Sequence, residues 1–227
     1  MGTLYIVATP IGNLGDITLR ALEILRHVDV IACEDTRHTQ KLLNHYEIHK
    51  RLIATHAHNE LASSQGIIQL LQQGNNIAFV SDAGTPGISD PGSRLVKQVR
   101  QHNFPIVPIP GVSAVTTLLS VAALSSKAFH FEGFLSPKGG RRRTRLTQLL
   151  DTKEPFVVYE SPFRILALLE DLNALGSERR ILMGREMTKA FEEFKEGNAS
   201  ELIQYLNEKP TIKGEFALCI YQEDSDT

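Results

Sequence analysis

The residue types most suited to ligand binding are concentrated in one short segment. Residues 80–92 read VSDAGTPGISDPG, in which polar Ser, Asp and Thr side chains are mixed with three glycines and two prolines. Glycine and proline at this density predict a sharply turned backbone. At Gly84 and Gly87 the missing side chains leave backbone N–H and C=O groups free to contact a ligand directly. The alternative interpretation is a tight structural loop.

The flanking residues place this loop at the end of a strand. Residues 76–80 form an apolar run of the kind that is typical of a buried parallel strand. After the loop, Asp90-Pro91 has the pattern of a helix N-cap followed by proline at the first helical position. Open α/β sheets bind ligands at the carboxyl ends of their strands, so the segment is a candidate binding site.

Composition narrows the class of protein. The chain has 227 residues, of which 42% are hydrophobic and 22% charged, and this suits one large or two small globular domains. A formal net charge of −2 argues against a globally basic nucleic-acid binder, so any RNA contact has to come from a local patch. No apolar stretch is long enough to span a membrane, and the N-terminus does not resemble a signal peptide.

The cysteine and histidine residues do not predict a metal site. Cys33 and Cys219 each lie in an apolar run and are predicted to be small buried residues, which fits a reducing cytoplasm. His56 and His58 have no further His or Cys nearby at ligand spacing. Polar loop positions or RNA contacts are the favoured interpretation for these two histidines.

The remaining elements must position the candidate loop. In the first half, predicted strands alternate with predicted helices, and this alternation indicates a parallel-rich sheet covered on both faces. Asp16 is the predicted N-cap of the first of these helices. In the second half, strands follow each other without long helices between them, which predicts a mixed sheet. We expect two α/β domains, residues 1–123 and 124–227, with residues 223–227 disordered.

Eight motifs, in chain order, resemble a known family. They are TPIGNLGDITLRA, VIACEDTRHT, SDAGTPGISDPG, PIPGVSAV, FEGFLSPK, YESPFR, REMTK and KGEFAL. Together they resemble the bacterial ribosomal RNA small-subunit methyltransferase I family, which belongs to the tetrapyrrole-methylase-like (class III) S-adenosylmethionine-dependent methyltransferases. The resemblance implies two αβα domains with a cofactor in the cleft between them, and a cytoplasmic homodimer. The activity that it implies is 2′-O-ribose methylation of a cytidine in the decoding region of small-subunit ribosomal RNA (16S rRNA). The RNA substrate would be part of the assembled 30S subunit. The family's usual C-terminal helical extension would be absent here.

The resemblance also assigns a site for S-adenosylmethionine. This cofactor carries no phosphate, and the chain has neither a Walker A sequence nor a dinucleotide-binding fingerprint. Taken singly, Ser113 would be an ordinary helix cap and Met187 a core side chain. The residues that the resemblance and the candidate loop assign to the cofactor are Pro10, Ile11, Gly12, Asp82, Ala83, Gly84, Gly87, Ser113, Ala114, Tyr159, Glu160 and Met187.

The acceptor side follows from the chemistry that the resemblance implies. A ribose hydroxyl is a poor nucleophile, so a group that removes its proton should help. Glu34 and Asp35 would supply a carboxylate for that proton, and Arg37 would hold a phosphate. Acidic residues also suit helix starts, so an N-cap is the alternative role for Glu34 and Asp35. The rival candidates are Glu160, Glu186 and Lys189.

One basic run stands out against the slightly acidic chain. It contains Lys138, Arg141, Arg142, Arg143 and Arg145. These side chains would bind phosphates along the RNA backbone. The alternative interpretation is a solvated helix face. Two other functions stay open at this point. One is methylation of a tetrapyrrole on the same fold, and the other is a non-catalytic RNA-binding protein that retains the fold.

Overall fold

A computed structural model describes residues 1–55, 60–176 and 178–222. Contacts within the chain divide it into two units, Met1–Ser113 and Ala114–Thr227. The sequence-based boundary lies later, after the short helix that begins at Ala114. His56, His58 and residues 223–227, on which predictions were made, lie outside the described residues.

The first unit is built on a sheet of parallel strands. Its strands are β1 (Leu4–Val7), β2 (Val30–Cys33), β3 (Arg51–Ala54), β4 (Ile77–Val80) and β5 (Ile106–Ile109), in the order β3-β2-β4-β1-β5. Its helices are α1 (Leu19–His27), α2 (Thr36–His45), α3 (Glu60–Gln72) and α4 (Ser93–Gln101). The register aligns Ile31 with Ala78, and Ala78 with Tyr5.

Both faces of this sheet are covered, as expected for parallel strands. Successive residues of β4 alternate between two cores: Ala78 and Val80 belong to one apolar cluster, and Ile77 and Phe79 to the other. All four are buried. This double burial explains why β4 is a continuous apolar run. The strand pairs of this sheet are parallel, which confirms the predicted parallel sheet.

The second unit contains a mixed sheet. Its strands are β6 (His130–Phe134), β7 (Phe156–Glu160), β8 (Arg180–Arg185), β9 (Glu193–Gly197) and β10 (Phe216–Tyr221), in the order β6-β7-β10-β8-β9. The strands β6 and β7 pair in parallel, and the other pairs are antiparallel. Its helices are α5 (Ala114–Leu119), α6 (Gly139–Asp151), α7 (Ile165–Ala174) and α8 (Ala199–Asn207). The predicted mixed sheet is confirmed.

Several local predictions need correction. The N-cap of α1 is Thr18, whose hydroxyl accepts from the Ala21 N–H, whereas Asp16 ends a separate 3₁₀ turn. Gly92, and not Asp90, lies at the N-cap position of α4. The sequence analysis missed α8, although Asn198 and Glu201 form a capping box at its start.

The predicted buried cysteines are confirmed, since Cys33 and Cys219 are both fully buried and unpaired. Burial raises the pKa of the Cys219 thiol to about 12, so it is an unreactive core residue. Among the described residues, no helix is both long and apolar enough to cross a bilayer, and no group of three or more His, Cys, Asp or Glu side chains could hold a metal ion.

Candidate active site and RNA-binding surface

The loops that follow β1 and β4 are joined by backbone hydrogen bonds. Thr9 and Gly84 form an isolated antiparallel bridge, with N–H to O=C distances of 2.9 and 3.0 Å. The Thr9 hydroxyl also donates to the Ser81 carbonyl at 3.2 Å. These bonds fix the positions of the two predicted cofactor segments, residues 9–12 and 82–84, relative to each other.

A third predicted segment meets the same loop. The Thr85 hydroxyl donates to the Val112 carbonyl at 3.0 Å. Gly111 lies so close to β1 that a Cβ built there would be 2.9 Å from the Ala8 Cβ. The segment 110–113 therefore packs against the ends of β1 and β4, so three segments that carry predicted cofactor residues of the first unit meet at this point.

Gly84 has a conformation that favours glycine. Its φ is +77°, and a Cβ built there lies 3.4 Å from Ile11 Cγ2 and 3.8 Å from the Val112 carbonyl oxygen. Gly87 also has a positive φ, +84°, but nothing lies within 4 Å of a Cβ built there. The backbone at Gly87 is therefore open on the side that a side chain would occupy, as a loop that presents its backbone to a ligand requires.

The predicted acceptor residues lie at the adjacent strand end. Asp35 is the N-cap of α2: its Oδ1 accepts from the Arg37 N–H at 2.8 Å, and its Oδ2 pairs with Arg37 Nη2 at 2.8 Å. The side-chain and backbone hydrogen bonds from Arg37 lower the pKa of Asp35 well below its usual range. The alternative capping role is therefore realised, and a carboxylate with so low a pKa is a weak base.

Asp90 has the opposite electrostatic character. The pKa of the Asp90 carboxyl is raised to about 6, mainly by burial and secondly by the negative charge of Glu34. A hydrogen bond with the Ser81 side chain opposes this shift, and the charge of Asp82 adds to it. A base works best when its pKa is near the working pH. Sequence reasoning missed this residue because Asp90-Pro91 has the pattern of a helix cap.

In the second unit, the end of β7 carries a buried carboxylate. The Glu160 side chain is fully buried, and its Oε1 accepts from the Ser161 N–H at 2.7 Å and pairs with Arg164 Nη2 at 2.6 Å. Its Oε2 is buried without a hydrogen-bond partner among the described residues. An acceptor in this state suits a ligand that brings a hydroxyl or ammonium donor, both of which S-adenosylmethionine has.

The other rival residues are bound to each other. Glu186 Oε1 accepts from Lys189 Nζ at 2.8 Å and from the Glu215 N–H at 3.0 Å. Burial raises the pKa of Glu186, but these hydrogen bonds outweigh it and the net shift is downward. Glu186 and Lys189 therefore form a structural ion pair. Met187, between them, is buried in an apolar cluster.

The basic run in α6 divides into structural and free side chains. Arg142 is buried and donates from Nε to Asp171 Oδ2 at 2.7 Å and from Nη2 to the Ala167 carbonyl at 3.2 Å. Arg143 Nε donates to the other oxygen of the same carboxylate at 2.7 Å, although 63% of its side chain is exposed. The buried carboxylate of Asp171 thus holds two of the predicted RNA-binding arginines.

Arg145 is also paired. Its guanidinium contacts both oxygens of Glu132, at 2.9 and 2.7 Å. Lys138 and Arg141 are exposed, and within the described residues neither side chain has an ion-pair partner. These two cations stand at the N-terminal end of α6, where the helix dipole already favours an anion.

Comparison with known proteins agrees with this architecture. The family model described as Tetrapyrrole (Corrin/Porphyrin) Methylases matches residues 3–203. The fold is similar to that of diphthine synthase (TM-score 0.75, 14% identity, 97% of this chain and 90% of that chain) and of a cobalt precorrin-4 methyltransferase (TM-score 0.70, 15% identity, 96% and 94%). At such identities the likeness shows the fold alone.

Sequence relatives are much more similar. A protein named "Ribosomal RNA small subunit methyltransferase I" from Synechocystis sp. is 49% identical over 97% of this chain and 79% of its own length. Proteins of the same name from Vibrio cholerae and Borrelia garinii are 49% and 44% identical, over 76% and 100% of their lengths. The chain therefore belongs to the tetrapyrrole methylase family, and within it to the ribosomal RNA small subunit methyltransferase I group. The predicted family and fold class are confirmed.

Proposed function

We propose that this protein transfers a methyl group from S-adenosylmethionine to the ribose 2′-hydroxyl of a cytidine in the decoding region of small-subunit ribosomal RNA. The observation that carries the proposal is the 44–49% identity, over nearly the whole chain, to relatives named "Ribosomal RNA small subunit methyltransferase I". The convergence of three predicted cofactor segments at the ends of β1 and β4 supports the choice of cofactor.

The cofactor supplies an activated methyl group on its sulfonium. We assign its binding in the first unit to the backbone of residues 10–12, 82–84 and 87, together with Ser113. In the second unit we assign it to Ala114, Tyr159, Met187 and the unpartnered oxygen of Glu160. The task of these residues is to hold the cofactor in one orientation and to exclude water.

The chain's own chemistry is limited to positioning the acceptor and moving one proton. Arg37, whose side chain is 87% exposed, would hold a phosphate of the RNA while it remains oriented by Asp35. Asp90 is better suited than Asp35 to accept the hydroxyl proton, because its pKa is about 6 and that of Asp35 is far lower. Glu34 acts on this step through its charge on Asp90.

The RNA contacts are proposed for the exposed cations at the start of α6. Lys138 and Arg141 are free to bind phosphates, and Arg143 is exposed although paired. We leave out Arg142, which is buried against Asp171, and Arg145, which is bound to Glu132. We further propose that the protein acts on the assembled 30S subunit, in the cytoplasm, as a homodimer.

The test is transfer of a tritiated methyl group from S-adenosylmethionine to isolated small ribosomal subunits, with free ribosomal RNA as the comparison. We expect incorporation into subunits, mapped to one cytidine as a 2′-O-methyl group. A precorrin-type tetrapyrrole serves as the alternative substrate in the same assay. Methylation of the tetrapyrrole and not of subunits would overturn the proposal, as would methylation of a base in place of a ribose.

A further inference from the structure

Two exposed aromatic rings lie at the carboxyl ends of the neighbouring strands β6 and β7, where no core packing requires them. Phe163, in the turn after β7, is 95% exposed, and Phe134, the last residue of β6, is 56% exposed. An isolated exposed apolar residue needs no explanation, but neighbouring exposed aromatics beside free cations are a binding pattern.

The two rings belong to adjoining loops. The strands β6 and β7 are parallel neighbours, and Phe134 lies opposite Tyr159. Both strands therefore end on the same side of the sheet. Arg164, which directly follows Phe163, donates from Nη1 to the carbonyl of Leu135, which directly follows Phe134, at 3.5 Å. The loops that carry the two rings are therefore tied together within one unit.

A β-bulge turns Phe134 outward. The register of β6 shifts between Phe131 and Gly133, and Gly133 has a φ of +71°. As a result Phe131 and Phe134, which would face opposite sides of a regular strand, both make edge-on contacts with the Tyr159 ring, with centroids 5.1 and 5.7 Å away. Tyr159 supports the Phe134 ring while much of that ring remains in solvent.

The free cations of α6 follow directly on the chain. Lys138 and Arg141 are exposed and begin the helix that leaves β6 after Phe134. We call Phe134, Phe163, Lys138 and Arg141 the aromatic–cationic edge. Aromatic rings bind the faces of unpaired bases, and cations bind the phosphates between them, so this pairing of residue types matches single-stranded RNA.

We propose that the aromatic–cationic edge binds a single-stranded RNA segment, with bases stacked on Phe134 and Phe163 and phosphates at Lys138 and Arg141. The inference rests on the proposed function and extends it, because it requires that the RNA around the target be unpaired. A second copy of this chain is a poorer occupant. In a symmetric dimer with its two-fold axis through this edge, Lys138 and Arg141 would face the same cations of the second copy, and like charges repel. The two separate rings would be the apolar contact of that interface.

The experiment compares a short single-stranded cytidine-rich RNA with a duplex of the same length, by fluorescence anisotropy over a range of salt concentrations. Phe163→Ala and Phe134→Ala should each weaken single-strand binding about tenfold, the usual loss for one base stacked on an aromatic ring. Duplex binding should change less than about twofold, and the salt dependence should be unchanged because no phosphate contact is lost. Phe163→Tyr should restore binding.

The matched control is Phe129→Ala. Phe129 is also exposed, at 45%, but it precedes β6 and so lies at the opposite edge of the sheet. Equal effects of Phe129→Ala and Phe163→Ala would overturn the inference, and so would equal losses on single strand and duplex. A lower oligomeric mass of Phe163→Ala in sedimentation would assign the rings to a contact between copies and would also overturn it.

Failure of the inference and failure of the proposed function give different results. If wild-type protein methylates small ribosomal subunits and the two Phe→Ala variants bind single-stranded RNA as well as wild type, the inference alone is wrong. If wild-type protein neither methylates subunits nor binds RNA, the proposed function is wrong. Far-UV circular dichroism spectra and urea denaturation midpoints that match those of wild type verify that the variants are folded.

Discussion

The backbone N–H of Asp35 donates a hydrogen bond to Oδ1 of Asp82 over 2.9 Å, and this contact joins the carboxyl ends of β2 and β4. The strand β2 is followed by α2, which carries Arg37, and β4 is followed by the glycine-rich loop that contains Gly84. The proposed acceptor and cofactor groups of the first unit are therefore held in a common backbone frame. Rigid positioning of this kind is the main contribution that a methyl transfer requires of a protein.

The first prediction concerns the pH dependence of methyl transfer. If Asp90 accepts the proton, it must be ionised, so kcat/KM should rise with pH, reach half its maximum near pH 6, and stay level above. Asp90→Asn should lower kcat by about a hundredfold or more and leave the affinity for S-adenosylmethionine within about threefold. Asp151→Asn, at an exposed position that ends α6, is the control and should leave transfer unchanged.

Glu34 offers an independent check of the same assignment. Its negative charge helps to raise the pKa of Asp90, so Glu34→Gln should move the midpoint of the pH profile to lower pH. A direct role of Glu34 as the base would instead abolish the pH-dependent rise. If the profile of Glu34→Gln coincides with that of wild type, the coupling between the two carboxyls is wrong.

The second prediction concerns stability. The pKa of Asp90 is raised from 3.8 to about 6 on folding. The folded state therefore binds the proton more tightly, and the stability from this group is fully present below pH 3.8 and is lost as pH rises through 6. Asp90→Asn should accordingly raise the free energy of unfolding at pH 8 by about 1 kcal/mol. The full shift corresponds to ~3 kcal/mol, and the expected value is smaller because Asp90 is partly exposed and its charge is screened by solvent.

Urea denaturation at pH 8 and at pH 4 measures this effect. At pH 4 the wild-type carboxyl is protonated in the folded state, so the difference between wild type and Asp90→Asn should become small. A variant that is less stable than wild type at pH 8 would show that the carboxylate of Asp90 stabilises the fold, contrary to the direction of its pKa shift.

Much of the fold could be predicted from the sequence because its strongest signals are local. The continuous apolar run of β4 and the glycines after it predict both the strand and the turned loop that follows it. The start of α4 was predicted wrongly because packing overrides the local Asp90-Pro91 pattern. Gly92 has a φ of +129°, and a Cβ there would lie 2.6 Å from Phe79 Cε1, so the chain passes against the core before the helix begins at Ser93.

The roles of the charged residues were harder to predict, because their partners lie far away in the sequence. Arg142 is paired with Asp171 and Arg145 with Glu132, and the sequence run alone shows only adjacent cations. One signal was available: Asp171 stands on the buried, apolar side of α7 beside Leu168 and Leu172, where a carboxylate needs a partner.

The third prediction concerns Gly84. Gly84→Val should abolish binding of S-adenosylmethionine, because a β-branched residue would have to adopt a φ of +77°. Its Cγ atoms would also extend from a Cβ that is already in contact with Ile11 Cγ2, at 3.4 Å. The strain should also lower the free energy of unfolding by about 1–3 kcal/mol. Gly74→Val is the matched control: Gly74 has a φ of +91°, nothing lies within 4 Å of a Cβ built there, and it precedes β4, at the other end of that strand from the candidate loop.

Calorimetry with S-adenosylmethionine and urea denaturation separate the two effects. Gly74→Val should lose stability to a similar degree and retain the cofactor affinity of wild type. Wild-type cofactor affinity in Gly84→Val would show that this loop is structural, and it would return the cofactor to other segments of the chain.

The fourth prediction separates the two kinds of arginine in α6. Arg142→Ala removes one partner of the buried Asp171 carboxylate and should destabilise the protein by about 3 kcal/mol, at the lower end of the usual range because Arg143 still binds the other oxygen. Arg141→Ala removes an exposed cation and should change stability by less than about 0.5 kcal/mol. Urea denaturation of the two variants gives both values.

RNA binding should show the reverse order. Arg141→Ala should weaken binding to small ribosomal subunits and lower the slope of log affinity against log salt by about one, as expected for one lost phosphate contact. Arg142→Ala, measured where it is still folded, should leave that slope unchanged, because its guanidinium is buried against Asp171 and the Ala167 carbonyl. The opposite result would be a lower salt slope in Arg142→Ala and an unchanged slope in Arg141→Ala. It would mean that Arg142 leaves Asp171 to bind RNA, and the assignment of Arg142 as structural and Arg141 as RNA-binding would be wrong.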